Sequence, residues 1–262
     1  FPPFTRATVG REAPLSVPYS GYVTTLAMAI AFGLSLWAFQ GVADKDGARI
    51  GFEAHHWLTV GSLDINLGIT LDGLTGVMLI VVTGVSLLVQ IYSREYVRGD
   101  RRYTHFFAAL TLFSAGMLVM VLAENLVQLI LGWEIMGLCS FMLIGHWWEE
   151  EANSRAALKA FFTVRVGDVG LLVGTAILFG SAGTFSIQGL SRQAPDGSLR
   201  PTVLVPARVA PFIACIGKSG PCPLHTWLPH AHARAPPGSP RRPPPTPVVR
   251  GGVLVELGRG GG

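Results

Sequence analysis

Apolar positions in this chain do not alternate with polar ones; they accumulate in long runs divided by short charged segments. The runs are roughly Tyr22 to Gln40, Gly73 to Tyr92, Phe106 to Ala123, Leu126 to His146, Phe161 to Ser181 and Val203 to Ile216. Each of the first five is close to the ~20 residues that a helix needs to cross a ~30 Å hydrocarbon layer. The sixth is shorter and is interrupted by Pro206 and Pro211. Lipid offers no partner for backbone N–H and C=O groups, and these runs lack the alternation of barrel strands, so packed helices are the expected form. The pattern predicts an all-α integral membrane protein with about six transmembrane helices, the last one broken. Ala123 to Asn125 leaves room only for a tight antiparallel turn between the third and fourth spans. Tyr92, Trp147 and Trp148 at the span ends suit interfacial anchors.

Composition points to the same solvent. Half of the residues are hydrophobic and 14% are charged, with a mean hydropathy of +0.45; soluble domains carry about 25% charged residues. The net charge of +4 comes from 20 basic and 16 acidic residues, and much of the excess lies in the last thirty. It gives no reason to expect a nucleic-acid partner. Cys139, Cys215 and Cys222 have no C-x-x-C spacing, so neither a disulfide nor a metal site is expected of them. No cleavable signal peptide is visible, and the start at Phe1 suggests a fragment. Basic residues in the loops set the orientation. Arg6, Arg11, Arg94, Arg98, Arg101, Arg102, Arg155 and Lys159 fall on one side, against Lys45, Arg49, Arg192 and Arg200 on the other, so the first side is expected to be cytoplasmic.

Charges inside the spans are the candidate chemistry. Glu134 lies about 12 Å in from Leu126 at ~1.5 Å per residue, near mid-bilayer, where an ionised group costs at least ~2.5 to 3.5 kcal/mol. Its bland reading is a carboxylate bonding a neighbouring helix; the cost favours a carrier of protons or ions. Glu124, at the hairpin tip, reads as a solvated interfacial residue. Arg165 and Asp168 stand three residues apart on one helical face, either as an internal pair or each with a separate partner. Lys159 can snorkel to the interface. Lys218 is flanked by Gly217, Gly220, Pro221 and Pro223, which predicts that it lies outside a regular helix, at a break of the kind transporters place beside ion sites. The segment is no Walker A motif, because the spacer between glycines is missing and no strand precedes it. His225 is within reach of the same break.

Four segments carry a resemblance in chain order: "LDGLTGVMLIVVTGVSLLVQIYS" with the "REYVRGDRRYTHFFA" that follows, "GWEIMGLCSFMLIGHW", "KAFFTVRVGDVG" and "GKSGPCPLHTWLP". Together they closely resemble the large antiporter-like membrane subunit of respiratory NADH-quinone oxidoreductase (complex I), chain L in bacteria and subunit 5 in mitochondria. The resemblance runs from about Gly61 to Pro229 and implies a partial antiporter-like inverted-repeat fold. It implies that Glu134 and Lys218 are paired carriers of a proton channel, that Arg165 and Asp168 set its charge environment, and that His225 lies on the proton route. It further implies other membrane-arm subunits as partners, a multi-pass place in a bacterial inner membrane, and NADH and quinone as cofactors of the complex with none on this chain. Consistently, the chain has no iron–sulfur cysteine pattern, flavin or nicotinamide fingerprint, or haem motif.

After Pro229 the resemblance stops. "HAHARAPPGSPRRPPPTPVVRGGVLVELGRGGG" stands where the family continues "DAMEGPTPVSALIHAATMV", and Arg234 to Arg241 resembles a one-base-out reading of those codons. The expected organisation is therefore an N-terminal segment over 1–21, a transmembrane helical domain over 22–229, and a Pro/Gly/Arg-rich tail over 230–262, disordered or frameshifted, in which His230 and His232 have no evolved role. The coding DNA beyond codon 229 decides this. Three functions remain open at this level: a proton-translocating subunit of the respiratory complex, a subunit of a cation/proton antiporter complex or membrane-bound hydrogenase, or a truncated product with no transport activity.

Overall fold

The computed structural model describes residues 19–44, 50–60, 63–98, 100, 102–149, 151–193 and 201–219. A chain this apolar satisfies its backbone most readily within helices, and they dominate: α1 (Tyr19–Ala43), α2 (Gly73–Tyr96), α3 (Tyr103–Val121), α4 (Leu126–Ile144), α5 (Glu151–Ala182), α6 (Ile187–Gln193) and α7 (Pro201–Ser219). Among the described residues, five helices are long and apolar enough to cross a bilayer, namely α1 to α4 and the Asn153–Ala182 part of α5. They coincide with the first five expected spans. The helix α7 lies over the sixth but is not among the five. In the packing, α1 pairs with α2, α3 with α4 and α5 with α7, and α4 meets α5 to join the halves.

Three expectations are corrected. The charged loop after α1 contains a hairpin, β1 (Ile50–Val60) paired antiparallel with β2 (Leu63–Leu71), in register from Ile50 opposite Leu71 to Val60 opposite Leu63. Leu63, Ile65, Leu67, Ile69 and Leu71 alternate with Asp64, Asn66, Gly68 and Thr70, the period of a strand. The second correction is that α5 begins ten residues before the expected Phe161. Its first turns are too polar to read as a span, yet Glu, Ala, Arg, Leu and Lys are strong helix formers, and Arg155 pairs with Glu151 one turn back at 2.9 Å. Third, Lys218 lies inside the last turn of α7 and not in a break. In a continuing helix Pro221 would clash with the Gly217 carbonyl and Pro223 with that of Ser219, whereas the helical N–H of Lys218 points back to Ala214, upstream of both, and Pro206 and Pro211 are accommodated within the helix. The break expected beyond Lys218, His225 and the 1–21 and 230–262 segments lie outside the described residues, apart from Tyr19 to Gly21.

The expected tight turn at Ala123 to Asn125 is held from two sides. From one side, Ile69 of β2 bridges Ala123, and the Thr70 N–H donates to the Leu122 carbonyl at 3.2 Å. From the other, the Leu126 N–H donates to the Phe185 carbonyl at 3.0 Å and the Ile187 N–H to the Glu124 carbonyl at 3.1 Å. Asn125 caps α4, its Oδ1 accepting from the Gln128 N–H at 2.7 Å while its Nδ2 donates to the Asn66 carbonyl. Glu124 is half-buried at this tip, less solvated than its position in the sequence suggested. Asn125→Ala is expected to lower stability by about 1–2 kcal/mol through the cap alone, read as earlier thermal unfolding in detergent.

One close approach positions the next site. A Cβ at Gly132 would lie 2.7 Å from the Gly116 carbonyl oxygen and 2.8 Å from the Met120 nitrogen. Only glycine lets α3 and α4 touch backbone to backbone there, a packing typical of membrane helices. That contact immediately precedes Trp133 and Glu134 and sets the depth at which α4 presents them.

Candidate functional site

α4 brings Trp133 and Glu134, α5 brings Arg165 and Asp168, and α7 brings Lys218. The α5–α7 contact passes through Gly167 and Gly217, where a Cβ at Gly167 would stand 3.1 Å from the Gly217 Cα, so Asp168 and Lys218 flank a close approach of those two helices. Arg165 Nη1 is ion-paired with Glu134 Oε2 and also lies 3.6 Å from Asp168 Oδ2. The Trp133 indole Nε1–H donates to Asp168 Oδ1 at 2.6 Å. Lys218 Nζ donates to the Trp133 carbonyl at 3.0 Å and stands 3.9 Å from the centre of the Trp133 ring. Both alternatives for Arg165 and Asp168 are thus realised together: they face each other and each also holds a partner on another helix.

Asp168 and Lys218 are 3% and 6% exposed, deep enough that an uncompensated charge would be costly. Compensation comes from within the set, since Glu134 and Asp168 supply two negative charges and Arg165 and Lys218 two positive ones. Unbroken polar contacts therefore run from Glu134 through Arg165, Asp168 and Trp133 to Lys218 and tie three helices together. The four charges are visible in the sequence, but the role of Trp133 is not; it is 7% exposed and touches both Asp168 and Lys218. The available signal was its place directly before Glu134 in the G-W-E segment. Trp133→Phe keeps an aromatic face but removes the N–H from Asp168; an unsatisfied buried carboxylate oxygen is expected to cost about 1–3 kcal/mol, measured as a lower melting temperature of the detergent-solubilised protein.

A second polar cluster occupies the basic end of the bundle. Arg94 stacks on the Tyr22 ring at 4.3 Å, and Arg102 is ion-paired with Glu149 and lies 3.9 Å from the Trp148 ring. These contacts place Arg94 and Arg102 at one end of the bundle. Burial would raise the Asp100 carboxyl, but the Arg102 backbone N–H, the Trp147 indole N–H and His146 outweigh it and hold it below its ordinary 3.8. His146, 1% exposed, is pushed below its ordinary 6.5 by burial, with its Nε2 3.4 Å from Asp100 Oδ2 acting in the other direction. No group of three or more potential metal ligands occurs among the described residues.

Two family profiles match the chain. One, described as NADH:quinone oxidoreductase/Mrp antiporter, TM, covers residues 123–239 and so includes Glu134, Arg165, Asp168 and Lys218. The other, the N-terminus of NADH-ubiquinone oxidoreductase (complex I) chain 5, covers residues 57–107. Among curated proteins, NADH-quinone oxidoreductase subunit L of Escherichia coli (strain K12) is 40% identical over 208 residues, which is 78% of this chain and 33% of that protein. NAD(P)H-quinone oxidoreductase chain 5 of Picosynechococcus sp. is 37% identical over 208 residues, 78% of this chain and 30% of that protein. The chain therefore spans about a third of the length of these curated relatives. Among solved structures, the Mrp complex from Dietzia sp. superposes with a TM-score of 0.69 at 25% identity, covering 90% of this chain and 27% of that one. The archaeal membrane-bound sulfane sulfur reductase shares the fold, with a TM-score of 0.73 at 19% identity over 95% of this chain and 48% of that one. With these matches falling on the helices and charges just described, the chain belongs to the antiporter-like membrane family of the NADH:quinone oxidoreductases and Mrp antiporters, on the subunit L/chain 5 branch.

Proposed function

We propose that this chain is part of a proton-translocating membrane-arm subunit of an NADH-quinone oxidoreductase, with Glu134 and Lys218 as the proton carriers. The observation that carries the proposal is the continuous polar line from Glu134 to Lys218 across α4, α5 and α7. Oxidation of NADH and reduction of quinone belong to partner subunits, and the work of this chain is electrostatic. A proton arriving on Glu134 Oε2 cancels its charge and releases Arg165, which then has Asp168 as its remaining carboxylate. With Asp168 more fully compensated, the attraction that keeps a proton on Lys218 weakens and that proton can pass onward. Trp133 couples the two steps because its indole grips Asp168 while its carbonyl and ring hold Lys218.

The size of the effect suits the task. Moving an opposite charge from ~4 Å to ~10 Å at an effective dielectric of ~20 changes the interaction from ~4 to ~1.7 kcal/mol. Carrying one charge across ~100 mV takes about 2.3 kcal/mol, so a displacement of this kind can load or release one proton against a membrane potential. The basic end of the bundle is assigned to the cytoplasm and the protein to a bacterial inner membrane, with the bilayer and other membrane-arm subunits against its outer faces. The likeness to the Mrp complex supports a second reading, a subunit of a cation/proton antiporter complex. Proton movement in vesicles containing the complex that carries this chain separates the two. NADH-driven proton uptake supports the first reading, and proton movement driven by a sodium gradient without NADH overturns it in favour of the second.

A further inference from the structure

The contact between α4 and α5 continues past the charge network toward the basic end of the bundle. On α4, Glu134, Gly137, Phe141 and Gly145 recur at spacings of three, four and four, which places them on one helical face. On α5, Asp168, Arg165, Phe161, Ala157 and Ser154 recur in the same manner running the other way. The two faces form one seam. Arg165 lies over the Phe161 ring at 4.9 Å, and Phe161 meets Phe141 with ring centres 5.2 Å apart. Beyond this aromatic pair is a partly open cavity of about 160 Å³ lined by His105, Phe141, Met142, Gly145, Trp148, Ser154 and Ala157. At ~30 Å³ per molecule it has room for about five waters.

The cavity has polar edges that the network at Glu134 does not use. His105 Nδ1 is buried and without a hydrogen-bond partner among the described residues. The His105 ring is stacked 6.3 Å from that of His146, which is 1% exposed with its Nδ1 likewise unpartnered. Behind His146 stands Asp100, and beside His105 stands Trp148, itself covered by Arg102, which is paired with Glu149. Buried nitrogens without protein partners beside a space large enough for water are commonly satisfied by ordered water. At ~1.5 Å per residue, Phe141 is about 10 Å along α4 from Glu134, so the aromatic pair is the apolar step between a wet cavity and the first carrier.

We propose that this cavity is the aqueous vestibule of a proton pathway along the α4–α5 seam, with His105 as the proton-relaying group in its wall and Phe141 with Phe161 as the plug before Glu134. A proton entering from bulk water through the open side of the cavity passes by way of cavity water to His105 Nδ1 and leaves it for a water deeper in the cavity, returning the ring to its starting state. It reaches Glu134 Oε2 only when the two phenyl rings part enough for a water chain. The proposal rests on the assignment of Glu134 as carrier, but the location of the pathway is separate from it.

The test uses the intact complex that carries this chain, in membrane vesicles. His105→Ala is expected to slow NADH-driven proton translocation about tenfold, less than the ~100-fold or more lost with a group that acts directly on the reacting proton, and added imidazole is expected to restore it. Ala157→Phe, which fills the cavity, is expected to slow translocation without rescue. An independent arm is chemical: Ala157 is 1% exposed, so Ala157→Cys in a background lacking the native cysteines reacts with a charged methanethiosulfonate only if water fills the vestibule. Labelling is expected, and absence of labelling overturns the vestibule even if a pumping variant fails to assemble. Glu134→Gln distinguishes the two levels. If it abolishes translocation while His105→Ala and Ala157→Phe pump at the unmutated rate, the pathway is overturned and the carrier stands; if Glu134→Gln itself pumps normally, the carrier is overturned whatever the labelling shows.

Discussion

Glu134→Gln is expected to reduce NADH-driven proton translocation about 100-fold in the assembled complex, the low end of what a lost acid–base group costs. Glutamine keeps the size and hydrogen-bonding capacity of the side chain while removing its ability to take and give a proton. It also leaves Arg165 with Asp168 as its remaining carboxylate partner. Lys218→Ala is expected to have a similar effect from the other end of the line, because the Trp133 carbonyl and ring lose the ammonium they hold. Electron transfer by partner subunits should survive in both variants, and NADH oxidation followed beside vesicle acidification measures the two separately. Translocation at the unmutated rate in both variants would remove Glu134 and Lys218 as carriers.

Asp168→Asn is expected to produce the largest loss of stability. Asp168 is 3% exposed and meets Arg165 on its own helix and Trp133 on α4, so neutralising it leaves two cations against Glu134 alone. Removing one partner from a buried ionic network costs about 3–5 kcal/mol. The double variant Asp168→Asn with Lys218→Met restores the balance of one acid to one base. It should recover much of the lost stability while translocation stays low, because one carrier is gone. The yield of assembled complex and its melting temperature in detergent report the first effect, vesicle acidification the second. A double variant no more stable than Asp168→Asn alone would show that charge balance is not what holds α4, α5 and α7 together at this point.

Much of the site was legible because charge inside oil is rare. Glu134, Arg165 and Asp168 stand out by their cost within apolar runs, and Lys218 by the glycines and prolines around it. The connections between them were not legible. Spacing along α5 placed Arg165 and Asp168 on one face, but the pairing of Arg165 with Glu134 depends on how closely α4 and α5 pack. The role of Trp133 is not legible in the sequence because a tryptophan in an apolar run looks like any packed or lipid-facing aromatic. Lys218 is helical despite its neighbours because Pro221 would clash with the Gly217 carbonyl, while the Lys218 N–H points back beyond that group, so α7 continues through Ser219. The β1–β2 hairpin is not visible in long apolar runs, because Leu63 to Leu71 carries its signal in alternation.

The sequence by itself determined that the protein is a bundle of membrane helices, where the first five spans fall, that the third and fourth are joined by a tight turn, and which residues bear charge within them. These follow from composition and local patterning, because the hydrocarbon layer imposes length and internal hydrogen bonding on each segment separately. Only the tertiary structure decided that Glu134 meets Arg165, that Asp168 and Lys218 meet at Trp133, and that β2 and the Phe185 segment clasp the α3–α4 turn. Those contacts join residues as far apart as 85 positions, as Lys218 and Trp133 are. They exist because glycines at the α3–α4 and α5–α7 crossings let backbones approach, and nothing local to any one residue records where its helix will be met by another.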